Sequence, residues 1–230
     1  KLHDTIKSSS PYMANRVVAY LRMFFNYAID KNLCVVNPCK VKKGNKFGLQ
    51  MCVEKPYQEY LSVDELRKVL NILVVTDART NRLKVSHYAD CFLNPVACLM
   101  LAFQLHTGRR TRSEVSLLKW SMVQVSNALM ILPQTKTSKH NGIYSFALSE
   151  PAVEILRIIQ REKLVKITDK CWFRNRFYFE PGDIRNKYVF PSRDYGRKIA
   201  SGIGKTPYLV DVRKTWWSVL KMAGVERKLK

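Results

Sequence analysis

The chain has 230 residues, and 40 lysines and arginines against 18 aspartates and glutamates give it a formal net charge of +22, which predicts a polyanionic partner. An apolar fraction of 47% is enough for one or two domains with cores. No apolar run approaches the roughly 18 residues of a membrane span, so we expect no membrane partner. The six cysteines show no paired Cys-x-x-Cys spacing. That pattern predicts reduced thiols in an intracellular protein, without a structural metal or cofactor.

The N-terminal segment predicts a long helix followed by a linker. The helix runs from about Pro11 to Lys31, and the residues that we expect on its apolar face are Val17, Leu21, Phe24, Phe25 and Ala28. Arg16 and Arg22 lie on the opposite face, where they could contact DNA. A basic, glycine-containing linker follows from about Val41 to Tyr57, and it includes Lys42 and Lys43. We place the boundary between a first domain, 1–53, and a second domain, 54–230.

The second domain is predicted to be mainly helical with a small antiparallel sheet, which is an α+β fold. Its first helix begins at a capping box formed by Ser62 and Glu65 and reaches about Val74. The later helices are expected at about Asn94 to His106, Arg112 to Lys119, Glu150 to Glu162 and Asp211 to Ala223. The sheet is expected from about Val123 to Leu132 and from Ile143 to Leu148.

The most informative segment places arginines directly after a Thr-Gly turn. Thr107 and Gly108 precede Arg109, Arg110 and Arg112, and the chain then continues into an amphipathic pattern. A guanidinium is permanently charged and its planar donors fit a phosphate, while a helix start adds unpaired N–H groups. The segment therefore predicts a phosphate site. The alternative is a solvated helix cap in which Arg110 and Glu114 form an ion pair four residues apart.

A second basic segment reads as a β-hairpin. The strand-like runs Ala128 to Leu132 and Ile143 to Leu148 flank a turn-rich stretch, 133–142. That stretch contains Lys136, Lys139 and His140, so the pattern predicts a hairpin with basic residues near its tip.

These two segments, in this order, resemble the catalytic domain of the tyrosine recombinases, the integrases of phages and mobile elements. The family's Thr-Gly-x-Arg-x-x-Glu helix start is similar to the segment from Thr107 to Trp120, which has one residue more before Glu114. Three further stretches resemble the family: 11–38 is similar to the last helices of its DNA-clamping core-binding domain, 188–192 to its Val-Phe-Pro-Ser strand, and 211–225 to the helix and Ala-Gly-Val turn before its His-x-x-Arg motif.

The resemblance implies a site-specific recombinase that cuts and rejoins double-stranded DNA through a 3′-phosphotyrosyl intermediate without metal, working as a homotetramer. It implies that Arg110 is the first catalytic arginine, that Glu114 orients it and that Lys136 is the hairpin lysine that acts as general acid. Counting back from Glu114 instead makes Arg112 a competitor for the arginine role. The residues expected to contact DNA are Arg16, Arg22, Lys42, Lys43, Arg109, Lys139 and His140.

The C-terminal part leaves two alternatives open. In one, the printed chain ends where the His-x-x-Arg motif should begin, so that it lacks this motif and the nucleophilic tyrosine and is itself inactive. In the other, the stretch from Val210 to Arg213 occupies the His-x-x-Arg position, with Val210 in place of the histidine. The alternative function is a non-enzymatic protein on the same scaffold that binds duplex DNA without cutting it.

Overall fold

The computed structural model describes residues 2–40, 51–54, 60–79, 82–85, 93–132, 144–164, 179–199 and 202–225. The chain divides into two compact units, Lys1–Glu59 and Tyr60–Lys230. The domain boundary that we predicted after residue 53 stays a prediction. The stretch 51–54 is held by a helix of the first unit.

That first unit contains α1, Leu2–Lys7, and α2, Pro11–Asp30. The hydroxyl of Ser10 accepts the backbone N–H of Met13 and caps α2, as expected for a helix with proline in its first turn. The buried amide of Asn15 donates to the Cys52 carbonyl at 2.9 Å and to Glu54 Oε1 at 2.8 Å, and it accepts from the Cys52 N–H at 2.9 Å. These bonds attach the stretch 51–54 to α2.

The predicted extent of α2 is confirmed to within a residue, but its predicted apolar face is wrong in part. Ala28 is buried as expected, whereas the Phe24 side chain is 62% exposed. The most buried apolar residues are instead Ala14 and Val18. They lie on the same face of α2 as Asn15, and this face contacts α1 and the stretch 51–54.

The second unit is mainly helical with small antiparallel sheets, which confirms the predicted fold class. Its helices are α3, Val63–Leu73; α4, Pro95–Thr107; α5, Glu150–Leu164; and α6, Arg213–Met222. Its strands are β1, Val74–Asp77; β2, Arg82–Val85; β3, Val123–Gln124; β4, Leu129–Leu132; β5, Tyr144–Ala147; β6, Lys198–Ile199; and β7, Gly202–Ile203. The sheets pair in the orders β1-β2, β3-β4-β5 and β6-β7.

Local sequence signals account for several of these elements. The Ser62 hydroxyl accepts from the Glu65 N–H at 3.2 Å, and Glu65 Oε2 accepts from the Ser62 N–H at 2.7 Å, so the predicted capping box is formed. In the predicted hairpin, Leu129 pairs with Ala147 and Leu132 with Tyr144. The pairs β1-β2 and β6-β7 were not predicted, because strands of four and two residues are too short to show a clear alternation.

Helix α4 forms the centre of the second unit. Every residue from Pro95 to Phe103 is buried, because the sequence is apolar on all sides of the helix. It packs against α3, α5 and α6, and the Phe103 ring lies 5.7 Å from the Phe190 ring, measured between centroids. Despite this apolar stretch, none of the described helices has the length and hydropathy needed to cross a membrane.

The segment that was predicted as a Val-Phe-Pro-Ser strand joins separate parts of the second unit. The Val189 N–H donates to the Leu118 carbonyl at 2.9 Å, and the Phe190 carbonyl accepts from the Leu209 N–H at 2.9 Å. Val189 and Phe190 are fully buried. The segment makes isolated bridges rather than a continuous ladder, but it aligns the chain before α6 with the chain after the arginine segment.

Candidate phosphate-binding site

The site begins where α4 ends. Gly108 adopts a left-handed conformation with φ of 64°, and its N–H donates to the Gln104 carbonyl at 2.8 Å. A side chain would be strained in this conformation, which explains the Thr-Gly sequence at the turn. Since α4 is buried at the centre of the second unit, the position of the arginines that follow Gly108 is fixed relative to the core.

The helix that we predicted from Arg112 to Lys119 is wrong. The segment Thr111–Val115 forms a π-helical turn, in which the Val115 N–H donates to the Arg110 carbonyl at 3.0 Å and the Ser116 N–H to the Thr111 carbonyl at 2.8 Å. Such a turn closes over five residues instead of four. It therefore takes up one residue more than an α-helical turn, as the surplus residue predicted before Glu114 would require. A short 3₁₀ turn, Trp120–Met122, follows before β3.

Two side chains hold the π-helical turn. Glu114 is 8% exposed, and its Oε2 accepts from the backbone N–H of Arg110 at 3.2 Å. The alternative of an ion pair between the Arg110 and Glu114 side chains is therefore wrong, because the carboxylate is directed to the backbone. On the other side, Gln104 Nε2 donates to Thr111 Oγ1 at 2.6 Å and links the turn to α4. That Glu114 orients a catalytic arginine stays a prediction.

The three arginines of the segment have different surroundings. Arg110 and Arg112 are exposed. Arg109 is half-buried, its guanidinium stacks 4.2 Å from the centroid of the Phe146 ring on β5, and its Nε donates to the Thr107 carbonyl at 3.1 Å. Arg109 thus connects the arginine segment to the hairpin sheet, a contact that the sequence did not indicate.

Arg213, at the start of α6, lies beside the arginine segment although it is distant in sequence. A pocket of about 440 Å³ separates the two, and its lining includes Leu101, Gln104, Gly108, Arg109, Thr111, Val212, Arg213 and Trp216. The lining combines apolar side chains from α4 and α6 with two arginines, Arg109 and Arg213. The sequence indicated Arg213 only through the open alternative in which Val210 to Arg213 fills the His-x-x-Arg position.

The Asp211 carboxylate pairs with one edge of the Arg213 guanidinium through two nitrogen atoms. Arg213 Nε lies 3.0 Å from Asp211 Oδ1, and Arg213 Nη2 lies 2.6 Å from Asp211 Oδ2. Hydrogen bonds from the Arg213 side chain, and then from its backbone N–H, lower the pKa of Asp211 from 3.8 to about 2. The positive charge of Arg112 adds to the lowering, so Arg112 also acts on this carboxylate.

The remaining predicted residues fall in two groups. Lys42, Lys43, Lys136, Lys139 and His140 lie outside the described residues. Arg16 and Arg22 belong to the first unit. The Arg16 guanidinium lies 4.8 Å from the centroid of the Tyr12 ring, and Arg22 Nε donates to the Cys39 carbonyl at 3.2 Å. Arg22 thus helps to hold the chain after α2, while its contact with DNA stays a prediction.

The described side chains of the candidate site are mainly cationic. Arg109, Arg110, Arg112 and Arg213 come from two separate stretches of chain, and bidentate guanidinium groups suit the oxygens of a phosphate. In the part of the chain that the structure describes, no group of three or more His, Cys, Asp or Glu side chains could hold a metal ion.

No protein-family model and no curated protein sequence matches the chain. Among solved structures, the chain is similar to the Tn1549 transposon integrase in complex with a circular intermediate DNA, at 12% identity and a TM-score of 0.55, over 97% of this chain and 62% of that one. It is similar to the same integrase with transposon right end DNA, at 13% identity and a TM-score of 0.54, over 98% and 63%. XerA recombinase matches at 18% identity over 95% of this chain and 56% of that one, but its TM-score of 0.40 carries no argument.

These similarities establish the fold. The chain shares the fold of the Tn1549 transposon integrase, which is mostly helical with small antiparallel sheets. The resemblance inferred from the sequence is confirmed for the fold alone. The chain spans less than two thirds of the length of the integrase structures that it matches here.

Proposed function

We propose that the protein is a tyrosine-type site-specific DNA recombinase. The observation that carries the proposal is the position of Arg213, which lines the same pocket as Gly108, Arg109 and Thr111. Two basic motifs that are distant in the sequence thereby meet at one place on the recombinase fold. This favours the alternative in which Val210 to Arg213 takes the His-x-x-Arg position of the family, with Arg213 as its second arginine.

In the proposed reaction, a tyrosine hydroxyl attacks the scissile phosphate, a 3′-phosphotyrosyl bond forms and the 5′-oxygen leaves. Arg110 and Arg213 would bind the non-bridging oxygens and neutralise the charge that develops on phosphorus. Arg112 is the alternative to Arg110, since both are exposed at the π-helical turn. Lys136 would give a proton to the departing 5′-oxygen. Val210 has no titratable group, so no proton transfer passes through that position.

Double-stranded DNA is the proposed substrate and partner. The net charge of +22 favours binding to a polyanion, and the Tn1549 integrase was crystallised with DNA. Arg16 and Arg22 of the first unit, and the basic residues 42, 43, 139 and 140, are proposed to contact the duplex outside the cleavage site. A homotetramer on two duplexes, as in the family, is part of the same proposal.

The decisive experiment is a test for a covalent intermediate. The encoded protein is incubated with nicked suicide duplexes that carry candidate recombination sites, and protein–DNA adducts are separated on a denaturing gel. We expect an adduct that is lost in Arg110→Ala and in Arg213→Ala while DNA binding is largely retained. Arg185→Ala is the matched control, because Arg185 is paired with Asp183 in the same way but is not among the residues that line the pocket.

The other outcomes separate the alternatives. An adduct that survives Arg110→Ala but not Arg112→Ala would assign the first catalytic arginine to Arg112. Tight binding without an adduct on any verified site would contradict the proposed enzyme and favour the non-enzymatic DNA-binding protein on the same scaffold.

A further inference from the structure

We propose that Asp211 is an internal anion that occupies the guanidinium of Arg213 until a DNA phosphate takes its place. The inference rests on the proposed function, because it assumes that Arg213 binds phosphate. It adds a role for a neighbouring carboxylate: Asp211 weakens DNA binding at this position and stabilises the cationic site when no DNA is bound.

The geometry of the pair supports competition. Asp211 engages the Nε and Nη2 edge of Arg213, with separations of 3.0 Å and 2.6 Å. A phosphate binds an arginine through two parallel N–H donors in the same manner as a carboxylate does. While the carboxylate is in place, this edge is therefore not open to a phosphate.

The charge of the surroundings explains why a carboxylate is useful there. Arg112 acts electrostatically on Asp211 together with Arg213, and Arg110 is exposed on the same turn as Arg112. Glu114 is directed to the backbone N–H of Arg110 and does not neutralise a guanidinium. Without an anion, the arginines would repel one another, and Asp211 offsets part of that repulsion.

The exposure of the pair allows it to open without unfolding. The side chains of Arg213 and Asp211 are 73% and 46% exposed. Ion pairs at such exposure are weak because water competes for both partners. A DNA phosphate, supported by the other arginines, can therefore displace the carboxylate.

A second pair in the chain provides an internal comparison. Asp183 and Arg185 have the same spacing and geometry, with Arg185 Nε 3.0 Å from both oxygens of Asp183. Their side chains are only 20% and 18% exposed, and the Arg185 guanidinium stacks 3.9 Å from the centroid of the Phe179 ring. The same sequence pattern thus gives a half-buried structural pair there and an exposed pair at the pocket.

The test measures binding of the chain to a fluorescein-labelled 20-base-pair duplex of mixed sequence, by fluorescence anisotropy at several salt concentrations. Asp211→Asn keeps an Oδ1 acceptor for the Arg213 backbone N–H, which Asp211 accepts at 2.9 Å, so the start of α6 is preserved. Because the phosphate no longer has to displace a carboxylate, Asp211→Asn should bind the duplex more tightly. The upper limit is the contribution of one whole phosphate contact, which is roughly eightfold at 0.1 M salt for a salt slope of about 0.9. Asp211→Ser, which keeps a hydroxyl cap, is the second variant.

Three controls make the result specific. Asp183→Asn removes the same charge and should leave the affinity for the duplex unchanged. In an Arg213→Ala background, Asp211→Asn should no longer tighten binding. Thermal unfolding should show that Asp211→Asn raises the affinity for the duplex without raising the thermal stability. If Asp211 had a purely structural role, its replacement would lower both the affinity and the thermal stability.

The failures are distinguishable. Equal tightening by Asp183→Asn, or tightening that persists without Arg213, would reduce the effect to net charge and overturn the inference. If Arg213→Ala weakens binding but neither replacement of Asp211 strengthens it, the inference fails and the proposed function stands. If the unaltered chain does not bind the duplex, or if Arg213→Ala neither weakens binding nor abolishes the covalent adduct, the role of Arg213 in the proposed function fails.

Discussion

Deletion of Ser113 should convert the π-helical turn into an ordinary α-helical turn at little cost in stability. Ser113 is exposed, and its loss would place the Val115 N–H four residues after the Arg110 carbonyl, which is the α-helical spacing. No buried side chain is removed, and one residue fewer must be ordered, which saves ~1–2 kcal/mol. This gain is offset by the adjustment of the Glu114 and Thr111 contacts, so we expect a change in unfolding free energy within ~1 kcal/mol.

Deletion of Arg157 in α5 is the matched comparison, because Arg157 is also exposed. There the deletion would rotate one part of a regular helix against the other by ~100° and turn Ile158 and Ile159 away from the core. Burial of an isoleucine contributes ~1.5–3 kcal/mol, so the loss should reach ~3–6 kcal/mol.

Urea unfolding followed by tryptophan fluorescence measures both effects, since all four tryptophans follow Tyr60 in the sequence and report the second unit. With a slope of ~2 kcal/mol per M, the midpoint should fall by less than ~0.5 M for the Ser113 deletion and by ~1.5–3 M for the Arg157 deletion. Equal losses would refute the view that the π-helical turn accommodates one surplus residue.

Three further results are expected with the same assay. Phe103→Ala should lower the unfolding free energy by ~3–5 kcal/mol, because it opens a cavity against Phe190 in the core, and a loss below ~1 kcal/mol would contradict this packing. Ser62→Ala should cost ~1 kcal/mol through loss of the bond to the Glu65 N–H, and no loss would mean that water replaces the cap. The pKa of Asp211 is lowered from 3.8 to about 2 on folding, so its stabilising contribution is present above pH 3.8 and is lost as the pH falls towards 2. The stability difference between the unaltered chain and Asp211→Asn should therefore shrink over that pH range, and a constant difference would contradict the pairing.

Local signals in the sequence predicted the start of α3 and the turn after α4. The capping box at Ser62 and the Thr-Gly turn at Gly108 each depend on residues within one turn of the chain. Such short-range chemistry can be inferred without knowledge of the tertiary structure.

The arginine segment shows what could not be inferred. The spacing of its apolar residues suggested an α-helix, and the surplus residue before Glu114 was visible in the sequence. The π-helical turn that forms instead is held by a tertiary contact, the hydrogen bond from Gln104 on α4 to Thr111. Likewise, Arg213 reaches the pocket because Val189 and Phe190 bridge two distant stretches of chain. Periodicity carries no information about such bridges, so the site could be predicted only as separate motifs.

The all-round burial of α4 has a consequence for motion. The residues from Val96 to Phe103 are all buried, so we expect their backbone N–H groups to exchange with deuterium only when the whole second unit unfolds. The arginine segment is attached to the end of this helix through Gly108 and Gln104. We therefore expect the backbone of the arginine segment to stay in place relative to α4, and any movement at the site to come from elements other than α4.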